Sequence, residues 1–390
     1  MLWSTAVSEH VEWEAALDEV QAHLKSVETP DLVIAFLSPH HFDHAAEISA
    51  GLRSRFPGAQ LLGCGGAGVV GAGRELEELA GLSVTVASLP DVGLTPIYLE
   101  PPDALEPLEP DEWQKRLDLI PEQQPCFLLL PDAFSVSAEA LIEGLDGAFP
   151  GCAKVGGVAS GAQGPGQGVL LLNDQVLNEG LVGLALWGDI VVETVVAQGC
   201  RPLGETMKVT RSHANLLLEL DGEPALDALD EIYRGLEPED RLRFRSSPLL
   251  GIGRDSRREH YRAGDFLVRN LLGVDRERSV IAVSALVEEG QTVQFHLRDA
   301  RSSSEELHHM LGRQVMDGVF PSGALMFSCL GRGLRFYGIA DHDSRVFCSH
   351  YEGVPLAGFF CNGEIGPVHG ETFLHGYTSS FGLFHARGWS

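Results

Sequence analysis

Apolar runs and amphipathic segments alternate along the first half of the chain. Residues 32–37 (LVIAFL) and 126–130 (CFLLL) are uninterrupted apolar runs. That is the pattern of strands covered on both faces. Each run is followed by helical spacing, with Ala45, Ile48 and Leu52 in one case and Leu141 and Leu145 in the other. Phe56-Pro57-Gly58 and Phe149-Pro150-Gly151 end these helices, because proline cannot continue one. A second strand then enters a glycine-rich loop, AQLLGCGGAG or CAKVGGVASG, and further β runs follow: LSVTVASL and LTPIYL, then LVGLALW and IVVETVVAQ.

The two stretches are copies of one unit. Residues 31–68 and 124–161 align without a gap, matching Phe-Pro-Gly to Phe-Pro-Gly, Gly63 to Gly156 and Gly68 to Gly161. Each unit reads β-α-β-β-β, which requires a mixed sheet, parallel across the helix and antiparallel beyond it. A third, looser copy is expected near the C-terminus: GALMFSCLGRG as strand and turn, DHDSRVFCSHY as helix, VPLAGFFCNGEIGP as second strand and TFLHGYTSSFGLF as the returning strand. Between the copies, ANLLLEL, SVIAVSALV and TVQFHL read as strands and EPALDALDEIY and SEELHHMLGRQV as helices, with Asp221-Gly222 as a hairpin turn. The expected fold is α/β with α+β character: two domains of mixed sheets with helices, parting near residue 200 into 1–200 and 201–390.

Composition narrows the function classes. With 28 Lys+Arg and 55 Asp+Glu the net charge is −27, which argues against nucleic-acid or anionic-membrane surfaces. The hydrophobic share of 44% is that of a globular protein. Seven cysteines without a CxxC pair do not read as a secreted disulfide scaffold. Glu9, Glu12 and Glu14 interrupt any signal-peptide pattern, and Asp189 and Glu193 break the longest apolar stretch. A cytoplasmic protein is expected.

Candidate chemistry sits at strand ends. Three glycine clusters, GCGGAGVVGAG, GGVASGAQGPGQG and GFFCNGEIGP, let backbone approach a ligand, through Gly63, Gly65 and Gly157 among others. They lack the GK[ST] of a phosphate loop and the helix of a dinucleotide fingerprint. The densest polar set is C-terminal: Ser328, Cys329 and Arg332, then His342, Asp343 and Ser344, then Asn362, Gly363 and Glu364, with His369, His375 and Tyr377 beyond. In a β-α-β unit these strand ends and the helix start share one sheet edge, where α/β sheets bind ligands. Arg332 suits a carboxylate, and Glu364 or Asp343 an amino group, as in an amino acid. The same residues also suit an internal ion-pair network, with Asp341 or Asp343 capping the helix.

Cys64, Cys329 and Cys361 lie near glycines at strand ends, without a signature partner for nucleophilic catalysis. His40, His41 and His44, and His308-His309, have metal-compatible spacing but no completing cluster, so no metal site is assigned. The 241–262 segment carries seven Arg and reads as a solvated loop or an acidic-partner contact.

The chain resembles the FIST superfamily of bacterial sensory proteins. The N-terminal resemblance rests on LLGCGGAGVVGAGRELEELAGLSVTVASL and on AKVGGVASG followed by GVLLLND. The C-terminal one rests on GALMFSCLGRG, DHDS and above all VPLAGFFCNGEIGPVHGETFLHGYTSSFGLF. The resemblance implies a non-enzymatic module that senses an amino acid or similar polar metabolite and signals through a partner such as a kinase or cyclase. It carries binding roles onto Arg332, Asp343, Asn362, Gly363 and Glu364. Relatives that bind haem and sense nitric oxide leave haem as an alternative cofactor, with no axial histidine assignable. A cysteine-dependent enzyme and a pure protein–protein adaptor are the remaining alternatives.

Overall fold

The computed structural model describes residues 1–24, 26–101, 105–253, 261 and 264–388. It parts into two compact units: residues 1–196, 307–374 and 378–390 form the first, and 197–306 with 375–377 the second.

The first copy comprises β1 (Leu2–Ser8), α1 (Trp13–His23), β2 (Leu32–Leu37), α2 (Ala45–Arg55), β3 (Gln60–Gly65), the hairpin β4 (Gly68–Gly71) and β5 (Arg74–Glu77), and β6 (Leu82–Ser88). The second repeats that order: β7 (Val92–Leu99), α3 (Pro110–Leu117), β8 (Cys126–Pro131), α4 (Ala138–Ala148), β9 (Lys154–Gly157), the hairpin β10 (Leu170–Leu172) and β11 (Gln175–Leu177), and β12 (Leu181–Gly188). The third opens with β13 (Val191–Ala197) and is then interrupted by the second unit. That unit holds β14 (Cys200–His213), β15 (Leu216–Leu220), β16 (Glu223–Pro224), α5 (Ala225–Gly235), α6 (Pro238–Ser246), β17 (Pro248–Gly253), β18 (Phe266–Asp275), β19 (Val280–Val283) and β20 (Thr292–Arg298). The third copy resumes with α7 (Ala300–Met316), β21 (Gly323–Cys329), α8 (Leu334–Tyr337), α9 (His342–His350), β22 (Leu356–Cys361), the hairpin β23 (Glu364–Val368) and β24 (Glu371–His375), and β25 (Ser379–His385).

In every copy the first strand pairs in parallel with the second, as β2–β3, β8–β9 and β21–β22. It pairs antiparallel with the returning strand, as β2–β6, β8–β12 and β21–β25. The hairpins are exchanged between copies. β10–β11 extends the first sheet beside β3, β23–β24 the second beside β9, and β4–β5 the third beside β22. Three six-stranded sheets result, each completed by another copy. The segment 372–384, expected as one returning strand, is therefore two strands in different sheets, turning at Tyr377 with φ 66°.

Local chemistry explains the repetition. α2 and α4 end at Phe56 and Phe149, whose φ/ψ of −126/66° and −134/68° are matched by Tyr351 at the end of α9, −129/67°. Gly58, Gly151 and Gly353 follow with φ of 89°, 72° and 78°, where a side chain would be strained. Tyr351-Glu352-Gly353 is thus the third Phe-Pro-Gly. On the second strands, Gly63, Gly156 and Gly358 each face the partner strand's carbonyl, of Ala35, Leu129 and Met326. A Cβ there would lie well inside van der Waals contact, so this glycine sets the close approach of the parallel pair. Gly63 has that packing role rather than a ligand-lining one.

Inner faces of the three sheets share one core, with Phe36 stacked on Phe359 at 4.9 Å and Phe327 edge-on to Phe359 at 5.8 Å. α1 and α2 cover the outer face of the first sheet, and α3 and α4 that of the second. α9 packs on the third, where Phe347 stacks on Phe381 at 5.7 Å.

The second unit is a seven-stranded sheet ordered β14-β20-β17-β18-β19-β15-β16, with its own core of Leu217, Leu226, Phe244 and Phe295 among others. Asp221 and Gly222 turn β15 into β16 with φ of 50° and 86°, the expected hairpin. In α6, Arg243 pairs with Glu239 and Asp240, and Arg245 lies 5.3 Å over the Tyr233 ring. Of the Arg-rich 241–262 segment, residues 254–260 and 262 lie outside the described residues. Tyr377 donates to Asn270 Oδ1 and lies 4.9 Å from the Arg298 guanidinium, so it belongs to this unit.

Candidate functional site

The three copies differ most between first strand and helix. The connection is residues 38–44 in the first and 132–137 in the second, but 330–341 in the third. The longer third connection carries Arg332 back over the ends of β21 and β22. Its Nε donates to Asp343 Oδ2 at 2.7 Å and its NH2 to Asp343 Oδ1 at 3.1 Å, so the guanidinium fork meets the first turn of α9. Tyr337, on α8, stacks on His342 at 3.5 Å between centroids, and the Arg332 guanidinium lies 5.4 Å from the Tyr337 ring. His342 Nδ1 and Asp343 Oδ1 are 2.9 Å apart.

Two further carboxylates are buried here. Glu364 begins β23 directly opposite Gly157, and its Oε2 accepts from Thr378 N at 3.1 Å and Thr378 Oγ1 at 2.7 Å. A Cβ at Gly157 would press on Cys361, whose Sγ lies 3.4 Å from Glu364 Oε1. Glu75 arrives from the exchanged hairpin: β4 pairs with β22, and β5 beyond it places Glu75 beneath α9. Glu75 Oε1 accepts from Ser344 N at 2.7 Å. Glu75 Oε2 and Ser344 Oγ are both buried with no hydrogen-bond partner. Asp341 does not cap α9 with its side chain; its Oδ1 instead accepts from Glu75 N at 2.7 Å.

Three buried carboxylates thus gather near one buried guanidinium, Asp343 pairing with Arg332, Glu364 sensing its charge and Glu75 sensing Asp343, and their electrostatics diverge. Burial alone would raise Asp343, but the Arg332 charge and the His342 hydrogen bond hold it well below the usual carboxylate range. Burial pushes Glu75 up to about 8, helped by the Asp343 charge and opposed by Ser344. Burial likewise pushes Glu364 up to about 7 against the lowering hydrogen bonds from Thr378. The centre holds one ion pair and two acids poised near neutrality.

The covering segment 330–341 is tethered to the same hairpin. Leu334 N donates to Glu77 Oε1 at 2.7 Å, and Arg335 pairs with Glu78 at 2.6 Å. Glu77 packs against Gly333, whose φ is 80°, leaving no room for a side chain.

The structure therefore gathers Arg332, Asp343, Ser344, Glu364 and Gly157, with Cys329 half-buried at the rim. Asn362 is exposed and turns away, its Nδ2 donating to Ala159 O at 3.1 Å. Gly363 packs against Leu374 and Val158, and Gly65 against the Phe42 ring. The glycine loops are joined to the C-terminal residues by strand pairing. Glu75 was not singled out from sequence, because an acid within Arg-Glu-Leu-Glu-Glu reads as solvated surface.

Burial disfavours the thiolate at several cysteines, so none of these is a nucleophile without a neighbouring base. Burial raises Cys64 and Cys361 well above the ordinary thiol value and Cys126 to about 11. His41 is buried in its turn, and His308 Nδ1 lies 3.1 Å from His350 Nε2. Among the described residues no three His, Cys, Asp or Glu side chains converge to hold a metal ion, and no helix is long and apolar enough to cross a membrane. A surface hollow of about 660 Å³ beside α1, lined by Asp18, Gln21, Arg55 and Phe56, includes none of the central residues.

Comparison with known proteins divides the chain at a different point from the two compact units. A family model described as FIST N domain matches residues 31–223, and one described as FIST C domain matches 225–367. The chain belongs to the FIST family. FIST domains are sensory domains associated with signal transduction and small-ligand binding, and are not known as catalysts. The FIST chain is 36% identical over 357 residues to an uncharacterized protein of Mycobacterium tuberculosis, covering 91% of each. It is 36% identical over 371 residues to an uncharacterized protein of Mycobacterium bovis, covering 92% of this chain and 91% of the other. An F-box/LRR-repeat protein of Arabidopsis thaliana is 25% identical over 189 residues, 42% of this chain and 34% of that protein.

Proposed function

We propose that this FIST chain senses a small amino-group-bearing metabolite, an amino acid or close analogue, at the polar centre of the third copy, and passes the signal to a partner protein such as a kinase or cyclase. The observation that carries the reading is the buried pair Glu75 Oε2 and Ser344 Oγ, neighbours without a well-formed hydrogen bond, beside an Arg332–Asp343 ion pair. Burying such groups without partners is costly, and a ligand ammonium supplies the missing donors. The ligand's carboxylate then competes with Asp343 for the Arg332 fork. Because Asp343 and Ser344 form the first turn of α9, a shift there moves the tethered segment 330–341, a surface a partner can read. That segment exposes Leu334 and Ile339.

The test is a thermal-shift screen of amino acids and their amines on the wild type and on Glu75→Gln. A saturable rise of a few degrees in the wild type, weakened in the variant, is expected from ligand linkage. A flat screen, or equal shifts in both proteins, overturns the assignment.

A further inference from the structure

Cys329 and Cys361 are register partners, each the last residue of its strand in the parallel pair β21–β22. Neighbouring strands run roughly 4.7–4.9 Å apart and opposed residues project to one face. That spacing falls within the range of about 4.4–6.8 Å that a disulfide bridges between Cα atoms. The two sulfurs are close enough to interact electrostatically, and the Arg332 guanidinium senses Cys329 in the same way. Their surroundings differ. Cys329 is half-buried and lies next to Leu330, which is 44% exposed. Cys361 is fully buried, with Ser328 O and Glu364 Oε1 both 3.4 Å from its sulfur.

We propose that Cys329 and Cys361 are a peroxide-responsive dithiol that closes to a cross-strand disulfide at the edge of the polar centre. Cys329, reached from solvent, attacks one oxygen of a hydroperoxide. The O–O bond breaks, the other oxygen leaves as water (or an alcohol), and Cys329 becomes a sulfenic acid. The Cys361 sulfur then attacks the Cys329 sulfur and the S–O bond breaks. Glu364, already at hydrogen-bond distance, takes the Cys361 proton and returns it to the departing hydroxide, which leaves as water. With hydrogen peroxide, two thiols and one peroxide give one disulfide and two waters, the sulfurs losing two electrons in total. Thiol reductants reverse the bond by exchange. Burial of Cys361 suits it to the resolving step, since it does not itself meet the oxidant.

The bond would clamp the turn that aims Arg332, because Arg332 N donates to Cys329 O at 2.8 Å. The inference stands on strand register and needs no bound metabolite. Cys126 and Cys152 also lie near one another, but Phe127 faces Lys154, which leaves those two out of register.

The experiment is peptide mapping of the full-length protein after stoichiometric and excess hydrogen peroxide, with free thiols alkylated and digestion done without reductant. The expected product is a Cys329–Cys361 linked peptide pair, lighter by two hydrogens than its parts, released by dithiothreitol and absent in Cys329→Ser. Recovery of the two as separate peptides, over-oxidation of Cys329 with Cys361 untouched, or a linkage only between Cys126 and Cys152 overturns the proposal. The wild-type map is decisive by itself, so a folding defect in a Cys361 variant leaves the outcome unchanged.

Discussion

Replacing Glu75 by glutamine removes a buried ionisable group while keeping its shape and its bond from Ser344 N. In the folded protein this acid is raised from its ordinary 4.5 to about 8, first by burial and then by Asp343. A folded-state value above the unfolded one means that stability is fully present below the unfolded value and lost as pH rises toward the folded one. Each pH unit across that window is worth about 1.4 kcal/mol. Between pH 5 and 7.5 the wild type therefore loses up to about 3 kcal/mol through Glu75 alone. For a large unit this is roughly 6–12 °C in Tm. Glu364 adds a loss of the same sign, present in both proteins, so the difference between the two curves isolates Glu75. Scanning calorimetry of wild type and Glu75→Gln at half-unit pH steps makes the measurement. The variant's Tm is expected to fall less steeply, the curves converging near pH 5. Parallel curves from pH 5 to 8 would mean that Glu75 is hydrated and charged in the fold, and would refute the buried-acid centre.

Arg332→Met strands Asp343 as an unpaired buried charge and is expected to destabilise the first unit by about 3–5 kcal/mol; adding Asp343→Leu should recover much of that in the same unfolding assay. Gly358→Ala drives a methyl into the Met326 carbonyl and is expected to abolish soluble expression, whereas Gly235→Ala, with open space around it at the end of α5, should change Tm by less than about 2 °C.

Much of this architecture was readable in the residues, and the unread parts have specific causes. Phe-Pro-Gly and the shared glycine revealed two copies because the motif ends a helix locally and the glycine admits a neighbouring carbonyl. The third copy looked looser for two reasons. Tyr351-Glu352-Gly353 adopts the same turn without the proline, and the second unit separates β13 from α7. The hairpin exchange left no mark, since alternation of apolar residues tells which face of a strand is buried, not which strand lies beside it. β14 was missed because most of its side chains are polar and exposed. At the site, Arg332, Asp343 and Glu364 were visible as charges interrupting apolar strands and loops. Their mutual ion pair was one of two readings the sequence allowed, and Glu75 came into view only when the pairing of β4 with β22 was known.

Because every sheet borrows its last two strands, no copy of the repeat is a self-sufficient folding module. A chain severed between β13 and α7, within the third copy, would leave the third sheet without β4, β5 and β13, and the second without β23 and β24. Each fragment would expose the raw strand edges that only the other can cover, so the halves should be mutually dependent, recovering structure on mixing and aggregating apart. Gene fission at that point, or a frameshift that drops the final strands, is thus felt at once in the part of the molecule encoded first.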